Sequence, residues 1–281
     1  MGSVVVLIPW YPAQSAAPVP PSCDPTTPTV GAEACIGVLT GDPGDPFAPQ
    51  RTYPDLSPNV TEVEAYPPVL GYDEATQTFT YGPNDLYFDT HARNLGSVPL
   101  DLVADDPSNV NGSSVSQCVS WTTNLGCRER VTVGGFVWHD IHTHFHFEDF
   151  ASYELRRLRR NGTVDYRQRG LIATSEKVSF CLLDSIRIRD DSSPVLRYTS
   201  CTHAQEGISP GWADIYGSNL EGQSVSLAGV SDGRYALVIN MNPGGHVLET
   251  DATNNRVVAI VEMTNLATPE PTVSIVDRFW N

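Results

Sequence analysis

Two stretches near the end of the chain, YALVINM (235–241) and RVVAIVEM (256–263), are nearly unbroken apolar runs, and both predict strands. LYFDTHARN (86–94) alternates weakly between apolar and polar residues and predicts another strand. RVTVGGFVWHDIHTHFHF (130–147) predicts one or two strands with a break at its glycines. FEDFASYELRRLRR (147–160) has helical or mixed character, with Arg156, Arg157, Arg159 and Arg160 on a solvated face. Residues 1–50 are rich in proline, which forbids regular elements, so they read as an extension. A globular domain is expected over 51–265, with 266–281 as a loose tail. The expected fold is all-β, with a β-sandwich-like core, long loops and few short helices.

Composition supports strands and loops. Glycine and proline each number 22 in 281 residues, and only 18% of residues are charged. The net charge of −16 repels nucleic acid and anionic membranes and draws in cations. Basic proteins or amines are therefore the natural partners, though plain solubility or adaptation to salt accounts for the charge equally well. No apolar run reaches membrane-spanning length. The opening VVVLIPW is too short for a signal peptide and lacks a basic flank, so a secreted protein would have had its signal removed. The six cysteines come in near pairs: Cys23 and Cys35, Cys118 and Cys127, Cys181 and Cys201. An even count at short spacings reads as a disulfide framework in an oxidising compartment, and a Cys23–Cys35 loop would pin the extension.

The stretch WHDIHTHFHFEDF (138–150) holds four of the chain's seven histidines. On one strand, His142, His144 and His146 share a face with Trp138 and Asp140, with about 7 Å between successive imidazoles. His139 falls on the opposite face, as a supporting or core residue. Three neutral imidazoles suit copper, zinc, iron or nickel and leave positions open for water, oxygen or substrate. The plainer alternative is a histidine-rich strand satisfied by hydrogen bonds, although burying three histidines without metal is costly.

Four ordered blocks between residue 53 and about 263 resemble the copper-dependent lysyl oxidase family. WHDIHTHFHFEDFASYEL resembles the family signature W-H-x-C-H-x-H-Y-H and the acidic, aromatic stretch after it. EKVSFCLLDS (176–185) resembles the segment with a lysine just before S-F-C. CTHAQEGISPGWADIYGSNLEGQ (201–223) resembles C-T-x-x-x-Q-G-x-S-P-G followed by D-x-Y. NPGGHVLETDATNNRVV (242–258) resembles N-P-x-x-x-x-x-E-x-D-x-T-N-N.

The resemblance implies that His142, His144 and His146 hold copper. It implies that Lys177 and Tyr216 join as a self-derived lysine tyrosylquinone. The implied reaction is oxidative deamination of peptidyl lysine or other primary amines by molecular oxygen, giving aldehydes, hydrogen peroxide and ammonia. Asp214 and His203 are the candidates for the base that removes the α-proton. The comparison also implies a structural calcium site from Asp55, Leu56, Glu249, Asp251, Asn254 and Asn255. Without metal, the same residues would make an Asx-rich turn.

The chain departs from the family pattern in places. Ile141 stands where the signature has cysteine, whose downstream partner corresponds to Cys201, so Cys181 is expected to pair with Cys201. The stretch after His146 is one residue shorter, and the Lys177–Tyr216 segment is a few residues longer. Together these suggest a divergent, microbial member, and the disulfide framework suggests a secreted one. Two other readings compete: a three-histidine oxygenase without a quinone, and a non-catalytic, calcium-stabilised β-sandwich that binds proteins.

Overall fold

The structure is a computed structural model that describes residues 51–109, 112–139, 143–175, 179–201, 205–268 and 270–280. The Pro-rich extension and the Cys23–Cys35 loop lie outside these residues. The described chain is all-β, and its one helical element is the 3-10 turn Gln168–Gly170. One five-stranded sheet runs in the order His144–Phe147, Cys127–His139, Ser113–Trp121, Leu100–Ala104, Gln205–Ile208. A second runs Leu171–Thr174, Ala151–Arg157, Gly233–Met241, Arg256–Thr264, Thr272–Trp280. A four-stranded sheet runs Leu56–Asn59, Thr90–Asn94, Trp212–Tyr216, Ile186–Arg187. All these neighbours pair antiparallel.

The two apolar runs are the central strands of the second sheet, and both their faces are covered. Leu237, Ile239 and Met241, with Val257, Ala259, Val261 and Met263, enter the main core. Ala236, Val238, Val258 and Ile260 face the other way, into a small cluster with Val164, Leu158 and Phe279. A strand covered on both faces has no polar face to alternate, which explains the unbroken pattern. The main core also takes Leu100, Leu102, Val115, Phe136 and Phe145 from the first five-stranded sheet.

Four expectations change. Residues 151–157 form a strand, not a helix: Ala151, Tyr153 and Leu155 alternate inward while the strand pairs with Gly233–Met241 along its whole length. The 266–281 tail carries the Thr272–Trp280 strand, which completes the second sheet. The Trp280 indole holds it by donating to the Pro58 carbonyl at 2.7 Å. LYFDTHARN is two strands, Asp85–Phe88 and Thr90–Asn94, in different sheets. The break is Asp89, whose carboxylate accepts the Thr61 and Glu62 amides at 2.6 and 2.8 Å. The Cys127–His139 strand runs straight through Gly134 and Gly135, so the glycines do not break it. At Gly134 the Phe147 ring would stand 3.0 Å from any Cβ, so the glycine makes room for a core aromatic.

Leu237 is fully buried in this core. Leu237→Ala is expected to cost about 2–5 kcal/mol in urea unfolding, through lost burial plus a residual cavity. A change below about 1 kcal/mol would show that the central strand is not packed as described.

Candidate active site and metal centres

The histidine stretch folds as a hairpin, not as one strand. His144 pairs with His139, Phe145 with Trp138 and His146 with Val137. Thr143, with φ of 55°, sits beside the reversal and donates its amide to the His139 carbonyl at 2.8 Å. Paired residues share a face, so His139 lies with His144 and His146 rather than opposite them. Its ring stacks on His146, centroids 4.8 Å apart. Trp138 turns to the other face and packs edge-on against Phe145 at 5.2 Å. The single-strand face assignment fails because the chain reverses between the histidines. Asp140, Ile141 and His142 lie outside the described residues.

The described pair suits a metal. The Nε2 atoms of His144 and His146 face each other at 3.0 Å. Two imidazoles bonded to one cation at about 2.0–2.1 Å would bring their nitrogens about 3 Å apart. His146 is buried, and its Nδ1 lies 3.3 Å from the Ser179 hydroxyl. Such a contact on the far nitrogen orients a ligating ring. Among the described residues no group of three His, Cys, Asp or Glu side chains gathers to hold a metal.

These histidines open onto a cavity of about 300 Å³. Tyr216, Asp214, Cys181, Ser185 and Glu221 line it as well. Tyr216 and Asp214 lie two apart on the Trp212–Tyr216 strand and so point the same way. The Tyr216 hydroxyl donates to the Cys181 carbonyl. The Asp214 carboxylate accepts the Ser185 hydroxyl at 2.8 Å and the Leu183 amide at 3.4 Å. Burial pushes Asp214 up to about 7, against hydrogen bonds from Ser185 and Tyr216 that favour its charged form. Burial, with Asp214 and Glu206 nearby, drives the Tyr216 phenol well above its ordinary value.

The segment between the two halves is fastened on both sides. Phe147 and Phe180 exchange backbone hydrogen bonds at 2.7 and 3.0 Å. Cys181 and Cys201 form the expected disulfide, and Cys118 and Cys127 form another. The Phe145 amide donates to the Cys201 carbonyl at 3.4 Å. Asp184 accepts the Arg197, Tyr198 and Ser209 amides at 2.9, 3.2 and 2.7 Å, and the Ser209 hydroxyl at 2.8 Å. Lys177 and His203 lie outside the described residues. The residues flanking 176–178 both reach the site: Ser179 approaches His146, and the Ser175 hydroxyl donates to the Gly222 carbonyl, next to Glu221, at 2.6 Å. Lys177 is the only lysine in the chain.

The sequence model of the lysyl oxidase family matches residues 119–269, from within the Ser113–Trp121 strand to just past the Arg256–Thr264 strand. The chain belongs to the lysyl oxidase family. It is 35% identical to lysyl oxidase homolog 1 of Homo sapiens over 119 residues, 42% of this chain and 19% of that protein. It is 36% identical to lysyl oxidase homolog 2B of Danio rerio over 129 residues, 46% of this chain and 15% of that protein. It is 33% identical to protein-lysine 6-oxidase of Homo sapiens over 119 residues, 42% of this chain and 26% of that protein. The match thus spans about a quarter or less of each of these relatives.

Glu206 is the site residue that sequence reading misses. It is buried on the Gln205–Ile208 strand, its Oε2 accepts the Leu182 amide at 3.0 Å, and its Oε1 has no partner among the described residues. Burial holds its carboxyl well above the usual range. In this chain it stands at the glutamine of the third family block. That mismatch was the available signal, and only the strand's placement makes the acid's burial visible.

Most of the proposed calcium ligands gather around Glu249, apart from the lining of that cavity. The Glu249 Oε2 accepts the Leu56 amide at 2.9 Å, and its Oε1 accepts the Asn242 and Asn255 side-chain amides at 2.6 and 2.7 Å. The Asn254 amide donates to Asp55 Oδ1 at 2.8 Å. The buried Oδ1 atoms of Asn254 and Asn255 have no partner among the described residues. Orphaned buried carbonyl oxygens beside two carboxylates are a donor set for a hard cation. Burial lifts Glu249 to about 7. Asp251 is not drawn into these bonds: its Oδ1 accepts the Thr253 amide and hydroxyl at 2.8 and 2.6 Å.

The folded value of Asp214 exceeds its unfolded value, so the folded state holds the proton more tightly. Its contribution is complete below the unfolded value, near 4, and fades as pH rises through about 7. Urea unfolding at pH 5 and pH 8 should therefore differ by about 2.7 kcal/mol from this group, since about two pH units separate pH 5 from its folded value. Asp214→Asn should flatten that part of the profile. An identical pH dependence in the variant would contradict the assignment.

Proposed function

We propose that this member of the lysyl oxidase family is a secreted, copper-dependent amine oxidase that deaminates peptidyl lysine or other primary amines. The supporting observation is the shared cavity, in which two facing imidazoles, a buried tyrosine and a buried carboxyl line one space. His142, His144 and His146 would hold the copper, and Lys177 and Tyr216 would form the cross-linked cofactor. Bound copper and molecular oxygen would supply the oxidation that turns Tyr216 into a quinone joined to Lys177, giving the two-electron sink that amino-acid side chains lack.

The chain's own residues supply the rest. The Cys181 carbonyl fixes the Tyr216 ring, and edge-on packing against Phe180 at 4.6 Å limits its rotation. Asp214 is poised near neutrality, so it can take a proton from a substrate carbon over Tyr216 and release it afterwards. His203 is the second candidate for that base. Glu221, on the exposed lining of the cavity, favours an incoming ammonium group, as does the net charge of −16. Over the whole reaction a primary amine, oxygen and water become an aldehyde, ammonia and hydrogen peroxide. The disulfides fit an oxidising, extracellular setting. The relative named protein-lysine 6-oxidase supports lysine as the substrate.

We also propose that Asp55, the Leu56 carbonyl, Glu249, Asn254 and Asn255, with Asp251 at the rim, bind calcium. The role would be structural, since the site ties residues near 55 to the turn near 250.

After copper loading, a visible absorbance band and peroxide release are expected with a primary amine. Tyr216→Phe and Lys177→Ala should each abolish both, and peptides carrying Lys177 and Tyr216 should be found joined by mass measurement. Full peroxide production in both variants would sink the quinone reading.

Calcium at a hundred times its Kd should stabilise the wild type by about 2.7 kcal/mol, and Glu249→Ala should lose that increment. Equal melting of the wild type in calcium and in chelator would overturn the site.

A further inference from the structure

The chain carries 17 basic residues against 33 acids, yet its cations are unevenly spread. Six arginines, Arg156, Arg157, Arg159, Arg160, Arg167 and Arg169, fall within fourteen residues, where Asp165 is the only acid. The Ala151–Arg157 strand and the loop after it bring them to one surface. The Leu158–Val164 bridge and the Asp165 amide, which donates to the Arg157 carbonyl at 2.9 Å, fold that loop back on the strand.

Asp165 is buried at the centre. Arg167 grips it with two bonds of 2.6 and 2.7 Å, while Arg159 and Arg169 approach at 3.6 and 3.7 Å. One carboxylate cannot neutralise three guanidinium groups, so the surplus positive charge faces solvent. The Arg159, Arg167 and Arg169 side chains are 44%, 52% and 70% exposed. Arg157 and Arg160 are exposed and form no ion pair among the described residues.

We propose that this arginine surface is a docking site for an acidic polysaccharide, separate from the amine-oxidising cavity. Guanidinium forks match sulfate and carboxylate oxygens two at a time, which suits closely spaced anionic groups along a sugar chain. A protein partner would need apolar anchors, and the only exposed large hydrophobic residue in this stretch is Tyr166, already beneath the Arg156 and Arg256 guanidiniums at 5.6 and 5.2 Å. The acidic remainder of the molecule repels a polyanion and confines it to this surface. The disulfides place the protein among extracellular polymers rather than nucleic acids. Sulfated and uronic acid chains share the required chemistry.

The test is binding of fluorescent heparin and of alginate at about 150 mM salt, with polyglutamate as the acidic peptide probe. The wild type should bind heparin, alginate or both, with affinity falling steeply as salt rises; which one binds identifies sulfate or carboxylate as the natural group. Arg157→Ala/Arg160→Ala/Arg169→Ala should weaken that binding at least tenfold. It spares Arg167, the main support of Asp165, so its melting temperature and small-amine oxidation should match the wild type. Arg160→Glu should also weaken binding, with even less disturbance to the loop. Arg234→Ala, on another exposed cation paired with Glu262, should bind as the wild type does. Absence of polysaccharide binding, equal binding in the triple variant, or tighter binding of polyglutamate than of either polysaccharide would overturn the proposal.

Discussion

The site depends on a short backbone splice. Phe147, at the end of the histidine hairpin, and Phe180, at the start of the segment facing Tyr216, exchange two main-chain hydrogen bonds. Each is worth only about 1 kcal/mol, but both lie beneath an aromatic cluster where water cannot replace them. The Cys181–Cys201 disulfide and the four hydrogen bonds to Asp184 then leave this segment one position. Imidazoles from one sheet and a phenol from another can therefore meet across one cavity. None of the three fastenings reads as chemistry in itself.

Burial then gives the fastened groups their character. Asp214 and Glu206 are acids in a space built for apolar side chains, and each is kept there by main-chain amides of residues 182 and 183. Desolvation favours their protonated forms, while the hydrogen bonds limit the effect at Asp214 to near neutrality. A carboxyl in that range can exchange a proton at physiological pH, as one left in water cannot. The same two acids also resist ionisation of Tyr216.

Much of this was legible in the chain. The doubly buried strands announced themselves as apolar runs because neither face meets water. The ordered motif blocks pointed to Tyr216, Asp214, His144 and His146 together, and the short cysteine spacings matched both described disulfides. The hairpin was hidden because alternation looks the same on a straight strand and on two strands joined by a turn; only Thr143's left-handed backbone marks the reversal. The 151–157 strand was hidden by its arginines, since a periodic cationic stretch fits an exposed helix as well as a strand. Glu206 was hidden because an acid's burial depends on which strand end closes over it. The tail was misread because its polar and apolar residues alternate along an edge strand, where sequence contrast is weak.

The bond between Asp55 and Asn254 spans 199 positions of chain, almost the whole described domain. Closing so long a loop is entropically costly until the intervening strands have already drawn its ends together. By that reasoning the clasp is expected to form late in folding, after the sheets rather than guiding them. A cation held there would report that the chain is finished, and its release would loosen the domain first at its edges, leaving the central strands to unfold last.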